Sequence, residues 1–379
     1  MAKFLITGAR APVALELARN LHRHNHKVIM VDSLRYPLAR NSHAVERFYH
    51  SASPRDGIDK YKESILDVIK REQVDYLLPT CEEVFYLAYL KEEIRPQCEL
   101  LCEDFSLLAK LHSKYTVLSL CEGMGVLLPP TRLLENSDLL DQKRLTGSVV
   151  KQEYCRFGTG VVLQPTLKRV LKLSKQSSSR ILIQQKIQGT EYCTYAVAYN
   201  GIVYSESIYQ PIYRVKVAAG IYFKPIKNST ISEFIREFCK KHNYTGQIGF
   251  DLIVNDNGVY LIECNPRATS GVHLLKNMNL ADALLGRKQQ LDKEPQQVSM
   301  VALAMNLVAL PVAQLNGNLR QWIRDYRLAN DVISHKDDKG FLLFSLLSLT
   351  ELIFIAIKKR INLRAASTVD IEWDGDEIK

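Results

Sequence analysis

The sequence predicts a three-part α/β (α+β) protein, and three observations predict it. The chain opens strand–helix–strand, with apolar runs at Lys3–Thr7 and Val28–Val31 on either side of Val13–Arg23, whose Val13, Leu17 and Leu21 share one helical face. Two Asn-Gly pairs, Asn200-Gly201 and Asn257-Gly258, lie between alternating apolar runs, the strongest short-range sign of a β-hairpin. A length of 379 residues, 46% of them hydrophobic, suffices for two or three packed cores. The expected division is a leading domain over 1–110, a strand-rich domain over 111–290 and a small C-terminal region over 291–379.

Composition narrows the function classes. The net charge of +9 is spread along the chain without an aromatic-basic platform. It does not by itself argue for nucleic acid, none of which is expected as a partner, and suits clefts for nucleotides or acidic substrates equally. The 8 cysteines have no regular spacing, and Cys98 with Cys102 is a pair without the second pair a zinc site needs. Free thiols in a reducing, cytoplasmic compartment are expected. The apolar start at Met1–Ile6 is too short for a signal peptide and reads as a first strand.

The leading domain is of Rossmann type, with its second strand ending at Asp32. The dinucleotide fingerprint needs three glycines, and only Gly8 is present; Arg10 and Pro12 stand where the backbone has to approach closely. His22, His24 and His26 read as a solvated basic turn, a metal site being the alternative. A helix over Ile58–Glu72 precedes a strand at Asp75–Pro79. Thr80-Cys81-Glu82-Glu83 then follows the carboxyl end of that strand, where open α/β sheets place ligands. Glu82 or Glu83 can hold an amine there, or both serve as acids at a helix N-terminus.

Helices are expected over Glu103–Leu111 and Lys114–Gly123, and a strand over Ser148–Gln152. A basic residue, Lys151, near the end of that strand, then Arg156, Gly158 and Gly160, gives the cation and glycine-containing loop that fold over a triphosphate; a plain hairpin turn is the alternative. A helix at Lys168–Lys175 and a strand at Arg180–Gln184 follow. Strands at Tyr192–Tyr199 and Ile202–Tyr209, a helix at Ile231–His242 and strands at Ile248–Val254 and Val259–Cys264 complete the domain. With a three-residue loop Asp256-Asn257-Gly258, Asn255 pairs Val259, Ile253 pairs Leu261, and Asp251 faces Glu263. Two carboxylates across a ladder repel, and a bound cation offsets that repulsion. Asp251 and Glu263, joined on one face by Asn265, form an oxygen-only set that suits Mg²⁺, and Arg267 is placed for a bidentate grip on a phosphate.

The run Glu263-Cys264-Asn265-Pro266-Arg267, with Asp251 ahead of it, resembles the E-x-N-P-R signature of the ATP-grasp superfamily, most closely the ATP-binding units of carbamoyl phosphate synthase large subunits. The resemblance covers about residues 1–285, with one such unit where that enzyme carries two. It implies an ATP-grasp fold with a Rossmann-like pre-ATP-grasp domain. It also implies an ADP-forming ligase that joins a carboxylate to an amine, or to a thiol, through an acylphosphate. ATP and one or two Mg²⁺ are the implied cofactors, with Mn²⁺ as an alternative ion, held by Asp251, Glu263 and Asn265. Lys114, in a segment similar to the one that opens ATP-grasp domains, and Lys151 would reach phosphates. Gln185 and Ile187 would receive the adenine, Gln185 standing where Glu is usual, and Glu191 the ribose. Lys114 and Glu191 read equally as surface charges. Arg267 and Lys151 would act in catalysis. Tyr213–Phe223 would cover the site. A protein that binds ATP without ligase activity is the alternative.

Beyond Pro266 the resemblance fades. Phe341–Ile357 is an apolar run of 17 residues with Ser345, Ser348 and Glu351 on one narrow stripe, ahead of Lys358-Lys359-Arg360. It reads as a buried or homodimer-interface helix, leaving a membrane contact through 341–360 open. The acidic tail Asp370–Glu377 is expected to be exposed.

Overall fold

In the computed structural model the described residues are 1–135, 142–155, 160–177, 179–215, 219–288, 297–338 and 341–378. Short β-branched and leucine-rich runs form the first sheet: β1 (Lys3–Thr7), β2 (Lys27–Asp32), β3 (Arg47–His50), β4 (Tyr76–Leu78) and β5 (Glu99–Leu100). All pairs are parallel, in the order β3-β2-β1-β4-β5. Three helices, α1 (Pro12–Arg23), α2 (Ile58–Glu72) and α3 (Glu83–Tyr89), accompany it. The order reverses between β1 and β4, so a ligand crevice opens at the carboxyl ends of those strands. Gly8, after β1, has φ +75, and a Cβ there would lie 2.6 Å from Thr80 Oγ1. Only glycine lets the β1–α1 and β4–α3 turns approach this closely.

The chain's own C-terminal segment fills part of that crevice. Arg10 donates to Asp32 Oδ1 and to Asp370 Oδ1, both at 2.6 Å, and Ser33 Oγ donates to Asp370 Oδ2 at 2.5 Å. Burial alone would raise the Asp370 carboxyl, but Arg10 outweighs it and holds that group below its usual range. Trp373 packs its ring 5.0 Å from Phe85, 5.3 Å from Phe105 and 5.2 Å from Tyr154. Arg55 pairs with Asp374 at 2.5 Å. The expectation of an exposed acidic tail therefore fails for its first half and holds for 375–377, which are exposed. Asp370 is a counter-ion of Arg10, Glu372 and Asp374 are counter-ions of Arg55, and Ile371 and Trp373 between them are buried. The Arg10–Asp370 pair also sits where a dinucleotide turn would need open backbone. His24 and His26 are spent separately, Nδ1 of His24 on the Asn20 carbonyl and Nδ1 of His26 on the Ala2 N–H, so the three alternating histidines do not converge.

The second sheet is antiparallel, in the order β6-β9-β7-β8: β6 (Thr131–Leu133), β7 (Ser148–Gln152), β8 (Val161–Val162) and β9 (Ile181–Gln185). The helix Leu167–Gln176, capped by Thr166 Oγ1, covers a small core of Leu145, Val150, Val170, Ile181 and Ile183.

The third sheet has seven strands: β10 (Thr190–Tyr199), β11 (Ile202–Pro211), β14 (Tyr222–Ile226), β15 (Gly246–Asn255), β16 (Gly258–Asn265), β17 (Ser299–Met300) and β18 (Asn330–Asp331). Its order is β16-β15-β10-β11-β14-β17-β18, and the short ribbon β12 (Arg214–Val215) with β13 (Ala219–Gly220) leaves it between β11 and β14. The helix Ser229–Lys241 lays Phe234 and Phe238 within 4.9 and 5.1 Å of Phe250, which anchors the back of the β15–β16 hairpin.

The helix Phe341–Lys359 forms, but with its polar stripe inward. Both oxygens of Glu351 accept backbone N–H groups, from Arg35 at 2.9 Å and Tyr36 at 2.8 Å, and Ser348 is buried. Phe354 and Ile357, 65% and 72% exposed, face outward. Among the described residues no helix is long and apolar enough to cross a membrane.

Candidate active site

The hairpin brings Asp251 opposite Glu263, as side-chain alternation predicts, but by another route. Asn255 pairs Gly258 around a two-residue loop, with Asn255 Oδ1 accepting from the Asn257 N–H at 2.9 Å. Ile253 consequently pairs Tyr260, not Leu261, and Val254, not Asn255, pairs Val259. A bulge at Ile262 takes up the one-residue offset between Leu252–Leu261 and Asp251–Glu263. The bulged residue's carbonyl accepts from Lys151 Nζ at 3.3 Å.

Electrostatics around the pair are unequal. Burial and the facing Glu263 charge push the Asp251 carboxyl well up. Burial would also raise Glu263, but Lys114 and Lys151 outweigh it and bring that group down. Lys114 Nζ lies 3.5 Å from Glu263 Oε2 and donates to the Cys155 carbonyl at 2.8 Å. Lys151 rises from the centre of the second sheet and donates to Gln184 Oε1 at 2.8 Å; burial pushes its amine down to about 8. Asn265 Nδ2 donates to Asp251 Oδ2 at 3.4 Å, and Arg267 donates to Asn265 Oδ1 at 3.0 Å. Arg267 Nε lies 3.8 Å from Glu82 Oε1, across the boundary with the leading domain.

A cavity of about 440 Å³ unites Lys114, Glu191, Asp251, Glu263, Asn265 and Arg267. The leading domain adds Arg10, Thr80, Cys81 and Glu82 to its wall, and the C-terminal segment adds Ser367 and Thr368. Arg10 reaches the wall but is held there by Asp32 and Asp370. Glu82 and Glu83 part company: Glu83 Oε1 accepts from Thr7 Oγ1 at 2.6 Å and from the Thr80 and Cys81 N–H groups, both at 3.0 Å, whereas Glu82 faces the cavity.

Other expected residues lie elsewhere. Gln185 ends β9 and Ile187 follows it, both outside the cavity lining; Gln185 is exposed and its N–H donates to the Pro130 carbonyl. Gly160 ends the β7–β8 connection with φ +70, and a Cβ there would fall 2.0 Å from Gln152 Oε1. Arg156 and Gly158 lie outside the described residues. Glu191 is paired with Arg214 at 2.5 Å, so Tyr213–Phe223, of which 216–218 lie outside the described residues, touches the site through β12. Sequence reasoning missed Gln184, the buried side chain that holds Lys151 and donates to Thr131 Oγ1 at 2.8 Å. Its inward place in the alternation of β9 is the signal that marks it.

Comparison with known proteins agrees with this architecture. Residues 112–271 match the ATP-grasp domain family. A 61-residue stretch is 38% identical to the tyramine–L-glutamate ligase of Methanocaldococcus jannaschii, covering 16% of this chain and only 20% of that protein's length. The N5-carboxyaminoimidazole synthetase of Staphylococcus aureus in complex with ADP superposes with a TM-score of 0.61 at 14% identity, over 83% of this chain and 86% of that one. The L-amino acid ligase of Bacillus licheniformis gives 0.59 at 15% identity, over 79% and 78%. Residues 112–271, about two-fifths of the chain, match as an ATP-grasp domain, and the solved structures share the fold of the chain.

Proposed function

We propose that the chain is an ADP-forming, Mg²⁺-dependent ligase that joins a carboxylate to an amine. One observation carries this reading: two half-buried carboxylates, Asp251 and Glu263, face each other within reach of two buried lysines and beside Arg267. A structural pairing of that kind is costly without a cation. The donors fit one, since Asp251, Glu263 and the Asn265 amide offer only oxygen ligands. When bound, Mg²⁺ supplies neutralisation of phosphate charge.

In this reading the carboxylate oxygen takes the γ-phosphoryl group of ATP and ADP leaves. The amine nitrogen then attacks the acyl carbon, phosphate departs and the nitrogen loses a proton. Lys114 and Lys151 hold phosphate oxygens, with Lys151 aimed by Gln184 and the Ile262 carbonyl. Arg267 steadies the transferring group. Glu191, which lines the cavity beside Arg214, turns to the ribose. The names of the Methanocaldococcus and Bacillus relatives, a tyramine–L-glutamate ligase and an L-amino acid ligase, support the reaction class.

The test is ADP release from Mg²⁺-ATP across a panel of carboxylates, each with and without an amine, for wild type beside Glu263→Gln. Substrate-dependent release that the substitution abolishes supports the ligase. Full ADP release by Glu263→Gln overturns it.

A further inference from the structure

A separate group of metal-ligating side chains, none of them lining the cavity, lies where the leading domain meets the loop after β18. His43 comes from the connection between β2 and β3, and His335 and Asp337 come from that loop. One ligand atom of each lies within 4.8 Å of the other two. The two imidazoles are nearly parallel, 5.6 Å apart between centroids, and His22 of α1 stands edge-on to His43 at 5.5 Å. His335 Nδ1 and Asp337 Oδ2 are 3.4 Å apart. That spacing matches one edge of a tetrahedron around a Zn²⁺ with bonds of about 2.0–2.1 Å. The widest separation has to close by at most about 1.5 Å on binding, which side-chain rotation supplies.

We propose that His43, His335 and Asp337 form a Zn²⁺ site that fastens the loop after β18 to the leading domain, with water as the fourth ligand. Two imidazoles and a carboxylate suit Zn²⁺, whereas Mg²⁺ takes oxygen ligands. The surroundings are those a ligating histidine needs. His43 Nδ1 donates to Asp338 Oδ1 at 2.7 Å, which leaves the Nε2 lone pair to a metal. Asp338 is fixed in turn by Ser42 Oγ at 2.9 Å, the His43 N–H at 2.7 Å and Arg19 Nε at 3.1 Å. Arg19 also donates to the Val332 and Ile333 carbonyls, at 3.1 and 2.6 Å. These bonds already dock the loop, so docking does not account for His335 and Asp337 meeting His43. With neutral histidines, the Asp337 and Asp338 carboxylates against the Arg19 guanidinium leave one net negative charge, which favours a cation. The side chains of His43, His335 and Asp337 are 30%, 33% and 52% exposed, so an ion can enter and water can complete its shell.

The experiment titrates the full chain, first stripped with a chelator, with Zn²⁺ against a colorimetric zinc indicator. Excess Mg²⁺ is present throughout to cover the oxygen-only donors at Asp251 and Glu263. Wild type should bind one Zn²⁺ per chain, and His335→Gln should weaken that binding at least about 100-fold. Asp337→Ala, at an exposed position, should weaken it at least about tenfold, and it decides the matter if His335→Gln does not fold. Zn²⁺ should also raise the unfolding temperature of wild type and leave that of both variants unchanged, because it binds only the state that brings residue 43 to residue 335. Absence of a bound Zn²⁺ in wild type overturns the inference. Equally tight binding in either folded variant also overturns it, since that is the result expected of Zn²⁺ held by the chain's thiols. Neither outcome bears on the ligase reading, which the ADP-release assay tests separately.

Discussion

The β15–β16 hairpin and the segment 341–378 carry equally clear sequence patterns, yet only the first reveals which way its side chains point. In the hairpin, alternation and a tight turn are local, and they bring Asp251 across from Glu263, 12 positions further along the chain. In the C-terminal segment the polar stripe and the acidic tail are just as regular. Their partners, however, are at the opposite end of the chain: Glu351 on the Arg35 and Tyr36 N–H groups, Asp370 on Arg10. Periodicity says that two faces differ. Which face is buried depends on what waits for it, and here unsatisfied backbone N–H groups and a buried arginine outweigh the outward apolar side chains.

The contrast predicts different kinds of damage. The largest effect belongs to the hairpin: Glu263→Gln should lower ADP release by at least about 10³-fold in a coupled assay, because a preorganised charge at the phosphates is lost. Measured by denaturant unfolding, the largest effect belongs to the tail. Trp373→Ala should cost about 3–5 kcal/mol, since it empties a space among Phe85, Phe105 and Tyr154. A loss under about 1 kcal/mol would mean that the tail is an accessory and that its legibility does not matter to the fold.

Much of the fold was readable, since β1, α2 and β7 fall where their runs of residues place them. The site was readable where strands set it and less so where loops do. The hairpin loop is one residue shorter than three, and the bulge at Ile262 restores the acid pair, a compensation invisible to alternation alone. One step along β9 separates exposed Gln185 from buried Gln184, and the motif pointed to the first while packing selected the second. Glu191 reads in the sequence as a ribose contact or a surface charge, but its tie to Arg214 depends on how β12 folds back, which no local pattern encodes.

Lys151 offers a pH test between the two regions' effects. Burial takes its amine down to about 8 from the usual 10.5, so folding releases a proton between those values. Its contribution to stability is present above the unfolded value and is lost as pH falls through about 8. The unfolding free energy of wild type minus that of Lys151→Met should therefore rise by ~3 kcal/mol from pH 8 to 10.5. A flat difference would mean that Lys151 keeps its charge, held by Glu263 more strongly than burial opposes it.

The smallest pair of effects tests the inverted helix directly. Glu351→Ala leaves two N–H groups, of Arg35 and Tyr36, without their acceptor and should cost about 1–3 kcal/mol in urea unfolding. Phe354→Ser, on the outward face, should change stability by less than about 0.5 kcal/mol, although phenylalanine is the larger and more apolar side chain. The ordering is the reverse of what hydrophobicity alone predicts for a mostly apolar helix. If Phe354→Ser proves the costlier of the two, the helix has its apolar face inward after all, and the Glu351 contacts are not what holds it against the leading domain.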